Sequence, residues 1–231
     1  MKINAIVTGA TGMVGEGVLY ECLQHSDVHK ILVINRRPCG VNHEKLEEII
    51  HDDFCDFGSI KERLRAYNAC YFCMGVSSVR MTEDRYHTLT YEITMALAHA
   101  WFDVQPTGTF CFVSGAGTDS TEHGRSMWGR VKGKTENSVM KLFSAGYAFR
   151  PGYIQPTKGL HNAYRASAYL APLYPVLKAL FPKYVCTLED VGLAMIQVTK
   201  EPHEPRILEC RDITRIARDR RKTVHSTKGS Q

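Results

Sequence analysis

With 231 residues, 44% hydrophobic and 23% charged, the chain has the composition of a soluble globular protein and not of a disordered, fibrous or membrane-embedded one. The formal net charge of +5 is concentrated: residues 206–231 hold eight Lys or Arg against three Asp or Glu, so the preceding residues are neutral overall. A neutral body with a basic end has no broad phosphate-tracking face, which argues against nucleic acid as a partner.

Met1 to Val7 runs directly into a short apolar strand without a leader and cleavage pattern. The most apolar later stretch, Ala168 to Phe181, is interrupted by Pro172, Pro175 and Lys178 and is too short to cross about 30 Å of hydrocarbon. Eight cysteines, at 22, 39, 55, 70, 73, 111, 186 and 210, are scattered as reduced thiols are, without the spacing of a secreted disulfide framework. These features lead to the expectation of a cytoplasmic protein with no membrane span and no metal site.

In chain order, the first element is a strand over Asn4–Thr8, followed by Gly9-Ala10-Thr11-Gly12-Met13-Val14-Gly15 and a helix over Val14–Gln24. Strand, GxxGxxG loop and helix in that order define a dinucleotide-binding loop. Glycines allow a tight turn and close backbone approach to a pyrophosphate, and the helix N-terminus supplies partial positive charge. A second strand, Ile31–Asn35, ends on Arg36 and Arg37. An acid there would accept bonds from a ribose 2′-hydroxyl; two guanidinium groups suit a 2′-phosphate, so NADP is expected over NAD.

Strand Ile49–His51 and helix Ile60–Ala66 come next, then strand Ala69–Met74 with Cys70 and Cys73. Residues three apart on a strand face opposite sides, so this CxxC reads as buried structural thiols. A helix over Tyr86–Phe102 follows, with Tyr86, His87 and Tyr91 as possible proton donors or packing residues near its start. Strand Thr109–Ser114, a loop with Thr118, Ser120 and His123, helix Arg130–Ser144 and strand Tyr147–Arg150 complete the alternation. Such alternation predicts a Rossmann-type doubly wound parallel sheet.

Residues 156–182 read as loop, helix and turn, and Leu188–Thr199 as a helix. The expected organisation is a single domain over 1–214, with a core at 1–158 and a small C-terminal capping region at 159–214. Residues 215–231 lose apolar periodicity and are expected to form a basic flexible tail.

Thr8–Gly15, Asn35-Arg36-Arg37, Asp53-Phe54, Phe72–Gly75, Val113-Ser114, Val131–Glu136 and Arg150-Pro151-Gly152 together resemble the short-chain dehydrogenase/reductase superfamily. The likeness is to its atypical, epimerase-like members of the Tat-interacting-protein and NmrA type, and spans about residues 3–213. It implies a cofactor site made from Gly9, Thr11, Gly12, Met13, Val14, Gly15, Asn35, Arg36 and Arg37. Asp53 and Phe54 would lie near the adenine, Cys73, Met74 and Gly75 near the ribose, and Pro151 and Gly152 beside the nicotinamide. Ser114 would face the nicotinamide, and Lys132 would bond its ribose.

The departure is Trp128, where active members of the superfamily place a tyrosine four residues before the lysine. An indole donates only and does not titrate near neutrality, so Trp128 is left to stack on a ligand or plug the pocket. Ser114, Thr118 and Ser120 are candidates to polarise a carbonyl. The expected function is an NADP(H)-dependent oxidoreductase acting on a small carbonyl or alcohol. The alternatives are a non-catalytic NADP(H)-binding regulator and a sugar-nucleotide epimerase or dehydratase. A homo-oligomer through the Tyr86–Phe102 helix is compatible with the sequence.

Overall fold

A computed structural model of the chain describes residues 1–157, 159–160, 162 and 174–228. Its strands are β1 (Ile3–Thr8), β2 (Val28–Asn35), β3 (Leu46–Ile50), β4 (Ala69–Phe72), β5 (Thr109–Val113), β6 (Gly146–Arg150), β7 (Tyr153–Gln155), β8 (Val185–Thr187) and β9 (Ile207–Glu209). The helices are α1 (Met13–Gln24), α2 (Lys61–Leu64), α3 (Glu83–His87), α4 (Ile93–Phe102), α5 (Met127–Leu142), α6 (Tyr174–Leu180), α7 (Leu188–Lys200) and α8 (Cys210–Lys228). Seven strands form a parallel sheet in the order β3-β2-β1-β4-β5-β6-β9, and β7 and β8 pair separately, also in parallel.

The continuous apolar runs are explained by burial on both faces. Ala5, Val7, Ile31, Val33, Tyr71 and Cys111 point into one layer with Val18 and Leu19 of α1, Val191 and Met195 of α7, and Ile213 of α8. Their neighbours Ile6, Leu32, Ile34, Cys70, Phe72 and Phe110 point into the other, against Leu64 of α2, Leu97 and Trp101 of α4 and Val139 of α5. Period-two alternation therefore persists, but both faces read as hydrophobic. Each crossover helix closes one layer, and α7 begins with a capping box in which Thr187 and Asp190 satisfy each other's backbone N–H.

The expected sheet and its doubly wound order are present, with three differences. The helix expected over Tyr86–Phe102 starts at Glu83 and contains a π turn at Thr88–Glu92 between α3 and α4. The three-residue strands β7, β8 and β9 are too short for periodicity to reveal. The flexible tail expected from residue 215 is corrected: α8 runs unbroken through that position, Ile213, Ile216 and Ala217 are buried, and the two isoleucines join the layer that holds α1 and α7. Their helical spacing was masked by the arginines between them. Part of the expected capping region, residues 161 and 163–173, lies outside the described residues, as do residues 229–231. Among the described residues no helix is long and apolar enough to cross a membrane.

Candidate functional site

Strand order reverses between β1 and β4, and a cleft of about 850 Å³ lies at the carboxyl ends of these strands. Its floor is the loop from Gly9 to Val14. Gly9 has φ +71°, and a Cβ there would stand 2.9 Å from the Met74 backbone. Gly12 N–H donates to the Gly9 carbonyl at 2.9 Å. Gly15 does not line the cleft but sits beneath it, where a Cβ would overlap the Gly9 carbonyl oxygen. A Cβ on Gly75, across the opening, would meet nothing within 4 Å. Gly12 caps α1 without a side-chain bond, leaving the first helical N–H groups open to an acceptor. A dinucleotide pyrophosphate fits this cradle.

At one end stand Asn35, Arg36, Arg37 and Phe54. Asn35 is buried; its amide donates to Glu48 Oε1 at 3.4 Å, and the same oxygen accepts from Cys39 N–H at 2.8 Å. Arg36 and Arg37 are exposed and make no hydrogen bond or ion pair among the described residues. Phe54 is buried edge-on to Phe57, with centroids 5.5 Å apart. Asp53 does not line the cleft, contrary to the expected place near an adenine. Its carboxylate closes a local turn by accepting from Cys55 N–H at 2.9 Å.

Cys73, Met74 and Gly75 form the middle wall. Cys73 is past the end of β4 and partly exposed, so the expectation of two buried structural thiols holds for Cys70 alone. Thr11, Met13 and Val14 line the cleft with the glycines.

The other end brings together Val113, Ser114, Lys132, Pro151, Gly152 and Ile154. Lys132 reaches the wall from α5 and donates to the Ser114 carbonyl. Burial brings its pKa down to about 8, with the nearby Glu136 carboxylate opposing the shift. Ser114 was expected to polarise a substrate oxygen. Its hydroxyl is instead buried and turned away, donating to Glu136 and lying 3.1 Å from the Phe149 carbonyl.

Glu136 is fully buried and accepts from Arg150 Nε at 3.0 Å, while Arg150 Nη2 donates to Ser120 Oγ at 2.6 Å. Thr118 donates to the Gly115 carbonyl at 2.8 Å. All three candidate hydroxyls thus already have partners within the protein.

Trp128 lies one turn before Lys132 on α5 but does not line the cleft. Its half-buried ring packs on the loop, 3.2 Å from where a Cβ on Gly117 would stand. Trp128 thus stands outside the cofactor cleft, against Gly117, which lines an adjoining cavity. Tyr86 is buried, His87 bonds Lys134 at 3.1 Å and stacks on Tyr91, and His123 is exposed; none lines the cleft. Val76 and Ser77 do line it and were not singled out, although they follow Gly75 directly.

Sheet order, glycine cradle and the open first turn of α1 together define a dinucleotide-binding Rossmann protein. A model of the NAD dependent epimerase/dehydratase family matches residues 5–125, more than half of the chain, and the protein belongs to that family. "Protein FMP52, mitochondrial" of Meyerozyma guilliermondii is 24% identical over 205 residues, covering 87% of both chains. "Protein fmp52-1, mitochondrial" of Aspergillus oryzae is 28% identical over 161 residues, covering 65% of this chain and 66% of its own length.

Among solved structures, ADP-L-glycero-D-manno-heptose-6-epimerase of Helicobacter pylori superposes with a TM-score of 0.66 at 13% identity, over 94% of this chain and 82% of its own. A short-chain dehydrogenase/reductase family oxidoreductase of Burkholderia thailandensis gives 0.65 at 14% identity, over 87% and 86%. WbmG of Bordetella bronchiseptica, solved in complex with NAD, gives 0.65 at 14% identity, over 97% and 79%.

The short-chain dehydrogenase/reductase resemblance is thereby borne out. The cytoplasmic expectation is not: both FMP52-type relatives are named mitochondrial proteins. Scattered reduced thiols indicate a reducing compartment and do not say which one.

Proposed function

We propose that this protein is an NADP(H)-dependent oxidoreductase acting on a small carbonyl or alcohol. The observation that carries the reading is one cleft with Arg36 and Arg37, unpaired among the described residues, at one end and Lys132 at the other. The two guanidinium groups supply charge-assisted donors for a 2′-phosphate. The Glu48 carboxylate beside Asn35 is committed to Asn35 and Cys39. Met13 and Val14 present the first turn of α1 to the pyrophosphate, and Cys73, Met74 and Gly75 wall the ribose. Pro151 and Gly152 bound the nicotinamide end, where the cofactor supplies the hydride.

Lys132 holds the ribose hydroxyls from the α5 side. With Trp128 on the loop and the Ser114 hydroxyl engaged, acid–base assistance is weak. Such assistance is typically worth about 10²–10⁴-fold, so turnover is expected to be slow. The test is NADPH oxidation against a panel of aldehydes, ketones and quinones. Slow turnover abolished by Lys132→Ala is expected; turnover that survives that substitution contradicts the assignment.

A second reading, an NADP(H)-binding regulator without turnover, is favoured by the same commitment of Ser114 to Glu136. It requires micromolar NADPH binding with no oxidation across the panel. From the names of its relatives we infer a mitochondrial location, to be checked by fractionation of cells expressing the tagged chain.

A further inference from the structure

A second cavity, of about 500 Å³, adjoins the nicotinamide end of the cleft. Ala116 and Tyr184 line this cavity, whereas Pro151 and Gly152 line the cleft, and the two pairs touch. Ala116 N–H donates to the Pro151 carbonyl at 2.9 Å, and a Cβ on Gly152 would collide with the Tyr184 carbonyl. Ala116 and Gly117 bring almost no side-chain bulk, so that wall of the cavity is mostly backbone.

The charge around this space is unbalanced. Lys183, Arg211 and Arg215 face it with Glu209 and Asp212. Both carboxylates already face cations: Glu209 has Arg150 at 3.7 Å, a charge it shares with Glu136, and Asp212 has Arg215 at 3.4 Å. Lys183 and Arg211 make no hydrogen bond or ion pair among the described residues, and the lining as a whole carries three cationic side chains against two carboxylates.

We propose that this cavity is a subsite for an anionic group, carboxylate or phosphate, carried by a substrate whose carbonyl or hydroxyl carbon enters the adjoining cleft. The word substrate rests on the oxidoreductase reading; anion binding does not. A planar or tetrahedral oxyanion gains charge-assisted donors from Lys183 and Arg211 without displacing an existing pair. The wall of Ala116 and Gly117 leaves room for the short carbon chain between the two spaces.

The test follows the backbone amides of Ala116 and Gly117 by NMR in the full chain saturated with NADP, while oxamate, inorganic phosphate or neutral acetamide is added. Saturable shifts are expected with at least one anion and none with acetamide, and the tighter anion identifies carboxylate or phosphate as the group recognised. Lys183→Ala and Arg211→Ala, both at exposed positions, should each weaken binding about tenfold, as for loss of a charge-assisted hydrogen bond, and leave NADP affinity unchanged. No saturable shift with either anion, or an anion affinity unchanged from the unsubstituted chain in both variants, overturns the proposal. Failure of NADP itself to bind counts separately against the oxidoreductase reading, and the same titration without cofactor still reads the cavity.

Discussion

Glu136, fully buried on α5, and Arg150, at the end of β6, form an ion pair with Nε 3.0 Å from Oε1, directly behind the wall that carries Ser114. The pair ties together the two elements that frame the nicotinamide end of the cleft. It also explains why Ser114 turns inward, since Glu136 still has an oxygen lone pair to satisfy.

Breaking this pair should be expensive. Glu136→Ala leaves the Arg150 charge largely buried without its main partner, and a loss of about 3–5 kcal/mol is expected on chemical denaturation. A loss under about 1 kcal/mol would mean that Glu209 or water replaces Glu136 without strain.

The loop glycines separate into two kinds. Gly15→Ala drives a methyl into the Gly9 carbonyl and should both destabilise the protein and abolish cofactor binding. Gly12→Ala meets only that carbonyl, at 3.4 Å, so it should fold normally and lose affinity through crowding of the cleft floor. Thermal melts and NADPH titrations of the two variants check this; equal melting temperatures would contradict it.

Lys132 sets a pH dependence. Its pKa is lowered to about 8 in the folded chain, against 10.5 as the ordinary value. Between these values the unfolded chain holds a proton that the folded chain has released, so this residue makes stability rise with pH across that window. The stability difference between the protein and its Lys132→Met variant, followed by denaturation from pH 7 to pH 10.5, should move in favour of the native residue as pH increases. A flat difference would show that Lys132 is not desolvated.

Trp128 should be dispensable for the cofactor. Its ring packs on Gly117 away from the cleft, so Trp128→Ala is expected to change NADPH affinity by less than about threefold. A tenfold loss in a fluorescence titration would place the indole against the ligand.

Much of this was legible in the residues. The glycine loop, the paired arginines and six strands of the main sheet follow from local spacing, because each depends on neighbours within one β-strand, turn and helix, whereas Lys132 was placed by resemblance. What was hidden depends on partners far apart in the chain. Ser114, Glu136 and Arg150 each have a plain local reading, and only the pairing of β5 with β6 under α5 brings them together. The strand β9 is three residues long and exists as a strand through β6. The buried side of α8 is carried by Ile213, Ile216 and Ala217, amid enough arginine to read as a solvated tail. Asp53 was placed by resemblance, and its turn bond to Cys55 is a local preference of aspartate that overrides that placement.

The central claim is that the cleft takes the 2′-phosphorylated dinucleotide through Arg36 and Arg37. The most direct measurement is calorimetric titration of NADPH and NADH into the protein and its Arg36→Ala/Arg37→Ala variant. The account predicts that NADPH affinity falls by about tenfold or more while NADH affinity stays the same, as for loss of charge-assisted bonds to a phosphate. An equal loss for both cofactors, or tighter binding of NADH by the unsubstituted protein, would contradict it.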